Sequence, residues 1–167
     1  TAAYGLGENV VQGAVNPDEY LIFKPTLEQG FAPIVNQRLG SKAIRMLYGE
    51  HGSTRNEPVP PAERRRYALS QAEALQLARW ACQIERHYSA RRGEPTPMDI
   101  EWAKDGESGE LFILQARPET VESRRSATLL RSWRLEAHDA EMLCRGRAIG
   151  ASVSSGRARI LRHPSEI

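Results

Sequence analysis

The side chains best suited to chemistry gather in one stretch, PMDIEWAKDGESGELFILQARPET, where Asp99, Glu101, Gln115 and Arg117 stand at alternating positions. If the stretch forms two strands around a glycine-containing turn, successive side chains point to opposite faces. Asp99, Glu101 and Ala103 then share one side of the first strand, and Met98, Ile100 and Trp102 take the other. The return strand assigns Phe112, Leu114 and Ala116 to one face and Leu111, Ile113, Gln115 and Arg117 to the other. With the turn inside DGESGE, an antiparallel register sets Glu101 opposite Gln115 and Asp99 opposite Arg117. A carboxylate oxygen beside an amide oxygen is hard-donor coordination of the kind Mg²⁺ accepts, completed by waters and phosphate oxygens. Arg117 adds a planar, permanently charged fork that matches a phosphate. Together these groups suggest a metal-nucleotide site. The same alternation also describes a half-exposed hairpin whose outer face is simply solvated; Leu111 and Ile113 on that face weigh against it.

The elements that must position this hairpin can be read from periodicity and turn chemistry. SQAEALQLARWACQIERHYS is the clearest helix: Ser70 and Glu73 form a capping box, and Ala74, Leu77, Ala78, Ala81, Ile84 and Tyr88 recur as one apolar stripe. It is expected to end before Arg91-Arg92-Gly93, where basic residues and a glycine suit a C-terminus. Upstream, AAYGLGENVVQGAVNPDEYLIFK reads as short strands around turns, with EYLIFK a strand. SKAIRMLYG suggests a short helix with Ile44, Leu47 and Tyr48 on one side, and the polar, proline-rich EHGSTRNEPVPPAERRR suggests a mobile loop. After Pro118 the composition turns polar, and TLLRSWRL and EMLCRGRAIGASVSSGRARIL suggest short strands of a second unit.

Composition narrows the class. The 167 residues suit one domain, or a large piece of one with the start of another. A net charge of +2 with 26% charged residues points to no strong field toward nucleic acid or a membrane surface. Cys82 and Cys144 lie far apart without a CxxC pairing, which argues against a zinc site or a disulfide scaffold and makes a cytoplasmic location the default. No run approaches a transmembrane helix and no signal segment opens the chain. It begins on Thr1 and stops at HPSEI without a closing element, which suggests a piece of a longer polypeptide.

YGLGENVVQGAVNPDEYLIFKP, GSKAIRMLYG, PMDIEWAKDG and LFILQARPETV, in that order, resemble the second half of the nucleotide-binding domain of the phosphoenolpyruvate synthase (pyruvate, water dikinase) family. CRGRAIGASVSSGRARIL is similar to the entry into that family's swivelling phosphohistidine domain. The resemblance implies an α+β fold: the C-terminal lobe of an ATP-grasp domain over residues 1–117, a linker over 118–127, and the first strands of a phosphohistidine domain over 128–167. It implies ATP and Mg²⁺ as cofactors, Glu101 and Gln115 as ligands of the metal and its nucleotide, and Arg117 as the phosphate-contacting catalytic cation. In the reaction it implies, ATP phosphorylates a histidine, hydrolysis releases phosphate, and the remaining phosphoryl group passes to pyruvate, giving phosphoenolpyruvate and AMP.

The departures from that pattern are equally specific. The acceptor histidine of the family stands in a Thr-x-His setting, which His51, His87, His138 and His163 lack, so the phosphorylated residue is expected outside this chain. An upstream lobe and a pyruvate-binding barrel are expected elsewhere too, leaving the chain alone inactive; a homo-oligomer stays open. Rival readings are a rifamycin phosphotransferase, a pyruvate, phosphate dikinase, or a non-catalytic binding module that keeps the hairpin as scaffold. GLGEN lacks the GK[ST] ending of a phosphate loop, so Gly7 and Glu8 suit a flexible turn, with a wall of the nucleotide cleft as the alternative. Lys24 and Lys42 read as surface lysines, and Arg64-Arg65-Arg66, Arg91-Arg92 and Arg124-Arg125 as solvated faces.

Overall fold

The computed structural model describes residues 1–27, 29, 31, 33–120, 141–142, 153, 155–157 and 159–160. The chain divides into two compact units, Thr1–Arg125 and Ser126–Ile167. In the first unit the elements run α1 (Glu8–Val11), β1 (Glu19–Ile22), α2 (Lys24–Leu27), β2 (Ile34–Arg38), β3 (Ile44–Tyr48), β4 (Thr54–Pro58), α3 (Pro61–Arg64), α4 (Gln71–Arg92), β5 (Met98–Lys104) and β6 (Leu111–Pro118). The strands form antiparallel pairs β1–β2, β3–β4 and β5–β6, and with α4 they make an α+β arrangement. The expected strand in TLLRSWRL lies outside the described residues. So do 121–127 of the expected linker and most of EMLCRGRAIGASVSSGRARIL.

Helix α4 starts where its capping box dictates. The Ser70 hydroxyl accepts from the Glu73 N–H, and the Glu73 carboxylate accepts from the Ser70 N–H at 2.7 Å, satisfying two otherwise orphaned donors. At the other end the helix runs through Arg91 and Arg92, past the expected stop, because the left-handed residue that breaks it is Gly93 at φ 72°. Of the apolar stripe expected to be buried, Ala74 is buried and Leu77, Ala78, Ala81, Ile84 and Tyr88 are half-buried. Ala74, Ala78 and Ala81 border an apolar hollow of about 200 Å³ shared with Ile100, Trp102 and Ile113.

Three local expectations upstream are corrected. SKAIRMLYG is not a helix: Ile44–Tyr48 is β3, paired residue by residue from Ile44↔Pro58 to Tyr48↔Thr54. Apolar residues three and four apart in so short a window suit either period, and tertiary pairing selected the strand. Gly5 bridges to Met46 in parallel, and a Cβ there would lie 2.3 Å from the Met46 carbonyl oxygen. Close backbone approach, rather than phosphate binding, therefore requires this glycine of GLGEN. The second correction follows from the first, since part of EHGSTRNEPVPPAERRR is β4 and α3 rather than loop. Thr54, Arg55 and Asn56 are polar and exposed, so β4 carries no apolar alternation to betray it. Val10 and Val11 likewise belong to the short α1 and not to a strand, with both N–H groups bonded to the Gly7 carbonyl.

Lys42 departs furthest from its sequence reading. It is fully buried, at 0% exposure, against the equally buried Asp18. The Asp18 carboxylate accepts from Lys42 Nζ, from the Gly40 N–H at 2.8 Å and from the Ala68 N–H at 2.7 Å, tying together three stretches distant in sequence. Lys24 is exposed, as read, and pairs with Glu85.

Candidate functional site

The β5–β6 turn is closed by backbone chemistry. Asp105 Oδ1 accepts from the N–H groups of Glu107 and Ser108 at 2.8 and 2.6 Å, and these bonds, that of Ser108 foremost, hold the carboxyl below its usual range. Gly109 supplies the left-handed corner at φ 73°. From this turn the strands run antiparallel in the expected register, with Glu101 opposite Gln115 and Asp99 opposite Arg117. All four side chains are exposed on the side away from α4. Arg117 Nη2 lies 3.5 Å from Asp99 Oδ2, and the two side chains are 67% and 48% exposed. So loose and solvated a pair contributes little to stability and leaves most of the guanidinium fork free to meet an anion.

The apolar positions of β6 fall differently. Glu101 faces Gln115 but Trp102 faces Ile113, so Leu114 is an extra residue in the ladder. A bulge of this kind sets two residues against one and reverses the alternation beyond it. Ile113 therefore joins Ile100 and Trp102 toward α4, and Leu111 is half-buried. Phe112 and Leu114 are turned outward instead, 48% and 65% exposed. This overturns the face assignment of Leu111, Ile113, Phe112 and Leu114. It leaves Leu114, next in sequence to Gln115, exposed, while Phe112 also borders the hollow against α4.

Among the described residues no group of three or more His, Cys, Asp or Glu side chains could hold a metal. What Glu101 and Gln115 offer is one carboxylate and one amide oxygen on an open face, a donor set that fits Mg²⁺ retaining waters and phosphate oxygens in most of its positions. A hollow of about 540 Å³ lies elsewhere, between the first turns of α4 (Glu73, Gln76, Trp80) and the turn end of the hairpin (Glu110, Leu111, Phe112). Among the described residues no helix is long and apolar enough to cross a membrane.

An ion pair that sequence reasoning missed ties the hairpin to α4: Lys104 Nζ meets Glu73 Oε1 at 2.6 Å. Lys104, and next the Ser70 backbone N–H, lower the Glu73 pKa from 4.5 to about 2. A carboxyl depressed on folding stabilises the fold above its unfolded pKa, and that contribution fades as pH falls toward the folded value. Replacing Glu73 by Gln is therefore expected to shift the urea midpoint of the full-length protein downward at pH 7. The gap to the unmodified protein should narrow between pH 4.5 and about 2, the window set by these pKa values. A gap constant from pH 7 to pH 3 would show that the carboxylate charge is irrelevant.

The chain belongs to the family of the pyruvate phosphate dikinase AMP/ATP-binding domain, whose sequence pattern matches residues 1–133. It is 59% identical to a phosphoenolpyruvate synthase of Synechocystis sp. over 169 residues, covering 100% of this chain and 20% of the relative. Phosphoenolpyruvate synthases of Pseudomonas aeruginosa and Escherichia coli are 50% and 46% identical, again over 100% of this chain and 21% and 20% of their own lengths. The chain thus spans about a fifth of the length of these relatives.

Proposed function

We propose that this chain is the piece of a phosphoenolpyruvate synthase that presents the outer face of β5–β6 to Mg-ATP. Residues 1–117 form the C-terminal lobe of an ATP-grasp domain, 118–127 a linker, and 128–167 the start of a phosphohistidine domain. The observation that carries the reading is the register: Glu101 stands opposite Gln115, and Arg117 lies two residues along the same exposed face. Glu101 and Gln115 would hold the metal, and Arg117 would meet a phosphate oxygen of the nucleotide. Bound there, Mg²⁺ neutralises phosphate charge and polarises the group to be transferred. The exposed Leu114 offers apolar surface to a nucleoside base.

Phosphoryl transfer demands positioning and charge neutralisation more than covalent chemistry from the protein. In the full-length protein the transfer is from ATP to a histidine outside this chain. For AMP to be the product, the group moved is the pyrophosphoryl of ATP; hydrolysis of the resulting pyrophosphohistidine yields phosphate, and the phosphohistidine that is left passes its group to pyruvate. The family name and the names of the relatives support this acceptor.

Arg117→Lys tests the role of the fork, because lysine keeps the charge but cannot make two parallel hydrogen bonds. Turnover of the full-length variant is expected to fall about 10- to 100-fold. Unchanged turnover and unchanged calorimetric affinity for Mg-ATP would favour a hairpin that serves only as scaffold.

A further inference from the structure

We propose that Lys104 and Glu73 are positioning residues for the outer face of β5–β6, orienting Glu101 through the backbone of β5. The inference rests on the nucleotide-face reading above and adds what holds that face in place. A two-stranded hairpin has no fixed pose of its own. Its inner side meets α4 through Ile100, Trp102 and Ile113 around a seam with about 200 Å³ unfilled, and apolar contact is non-directional. Such a seam resists separation better than it resists tilting.

Lys104 supplies the missing direction. It stands three residues beyond Glu101, across the bulge, and its ammonium reaches Glu73 Oε1 at 2.6 Å. The other oxygen of Glu73 accepts from the Ser70 N–H at 2.7 Å and the Ser70 hydroxyl at 2.8 Å, so the anchoring carboxylate is itself immobilised. The two residues before Ser70 are gripped from β1 and the residue preceding it: the Ala68 N–H donates to Asp18 Oδ2 at 2.7 Å, and the Tyr20 hydroxyl donates to the Leu69 carbonyl at 2.8 Å. A continuous polar path therefore runs from the buried Asp18–Lys42 pair, through the cap of α4, to the strand that carries Glu101. Metal ligands tolerate only fractions of an ångström of misplacement, and a tilt at Lys104 is transmitted along one strand to Glu101.

The test is Lys104→Met in the full-length protein, which keeps the aliphatic stem and removes the charge. The ion pair is partly exposed, at 38% and 23%, so the Tm is expected to move by no more than about 2 °C. The calorimetric Kd for Mg-ATP should rise about 3- to 10-fold, while the Kd for ATP in excess EDTA stays at its unmodified value. Lys104→Arg should restore the Mg-ATP affinity, and Glu73→Gln added to Lys104→Met should cost nothing more. An unchanged Kd for Mg-ATP overturns the proposal, as does an equal weakening with and without metal. Should Lys104→Met fold poorly, Lys104→Leu, which likewise removes both the charge and the donor, is read by the same two affinities. Glu101→Ala run alongside separates the failures. If it loses metal-dependent affinity while Lys104→Met does not, positioning is wrong and the site stands; if it loses nothing, the site itself is rejected.

Discussion

Glu101→Ala in the full-length protein is expected to lower Mg²⁺-dependent turnover roughly 100- to 1,000-fold, the scale on which removing one preorganised charge-stabilising group acts. Gln115 supplies a neutral oxygen, so without Glu101 the face keeps no negative ligand at the paired position, and Asp99, which lies near Arg117, cannot replace it without surrendering that contact. Glu101→Gln should fall in between, since it preserves an oxygen donor and loses the charge. Both side chains are exposed, so these changes are expected to leave the unfolding transition almost unmoved. Steady-state rates across a Mg²⁺ titration, with melting curves on the same samples, provide the check. Full turnover at every Mg²⁺ concentration would remove Glu101 from the metal site.

The second large effect concerns stability. Asp18 and Lys42 are each 0% exposed, and removing one charge strands the other away from water. Breaking a buried pair in this way costs about 3–5 kcal/mol. Asp18→Asn also turns an acceptor into a donor against the Gly40 or Ala68 N–H, both of which need an acceptor. Lys42→Met leaves Asp18 with its two backbone donors and should cost somewhat less. Combining the two substitutions should recover part of the loss, because no unpaired charge remains buried. Urea unfolding of the full-length protein and its three variants gives the coupling directly. Strictly additive losses would mean that the two side chains do not depend on each other.

Much of the candidate site was legible because its pattern is local. The alternation of Asp99 and Glu101 against Gln115 and Arg117, with turn residues between, specifies a register that β5 and β6 adopt. Ser70 and Glu73 and the alanine-rich stripe likewise carry the start and face of α4, whereas its stop at Gly93 falls past the expected end. These are contacts among residues close in sequence, and periodicity encodes them without reference to the rest of the molecule.

What the residues could not announce depended on distant neighbours. Leu114 became an extra ladder residue because Ile113 packs toward α4 opposite Trp102, and that demand for burial reversed the faces of β6. Ile44–Tyr48 became a strand because β4 and Gly5 offer it backbone partners, which five residues cannot reveal by themselves. Lys42 is buried because Asp18, Gly40 and Ala68 converge on one point in space. By itself, then, the sequence determined which polar groups face one another across the hairpin and where the long helix begins. Only the tertiary structure decided which apolar side chains accompany those groups and which charges leave water. Burial and bulge placement are set by the free energy of packing separate elements together, and no single element contains that information.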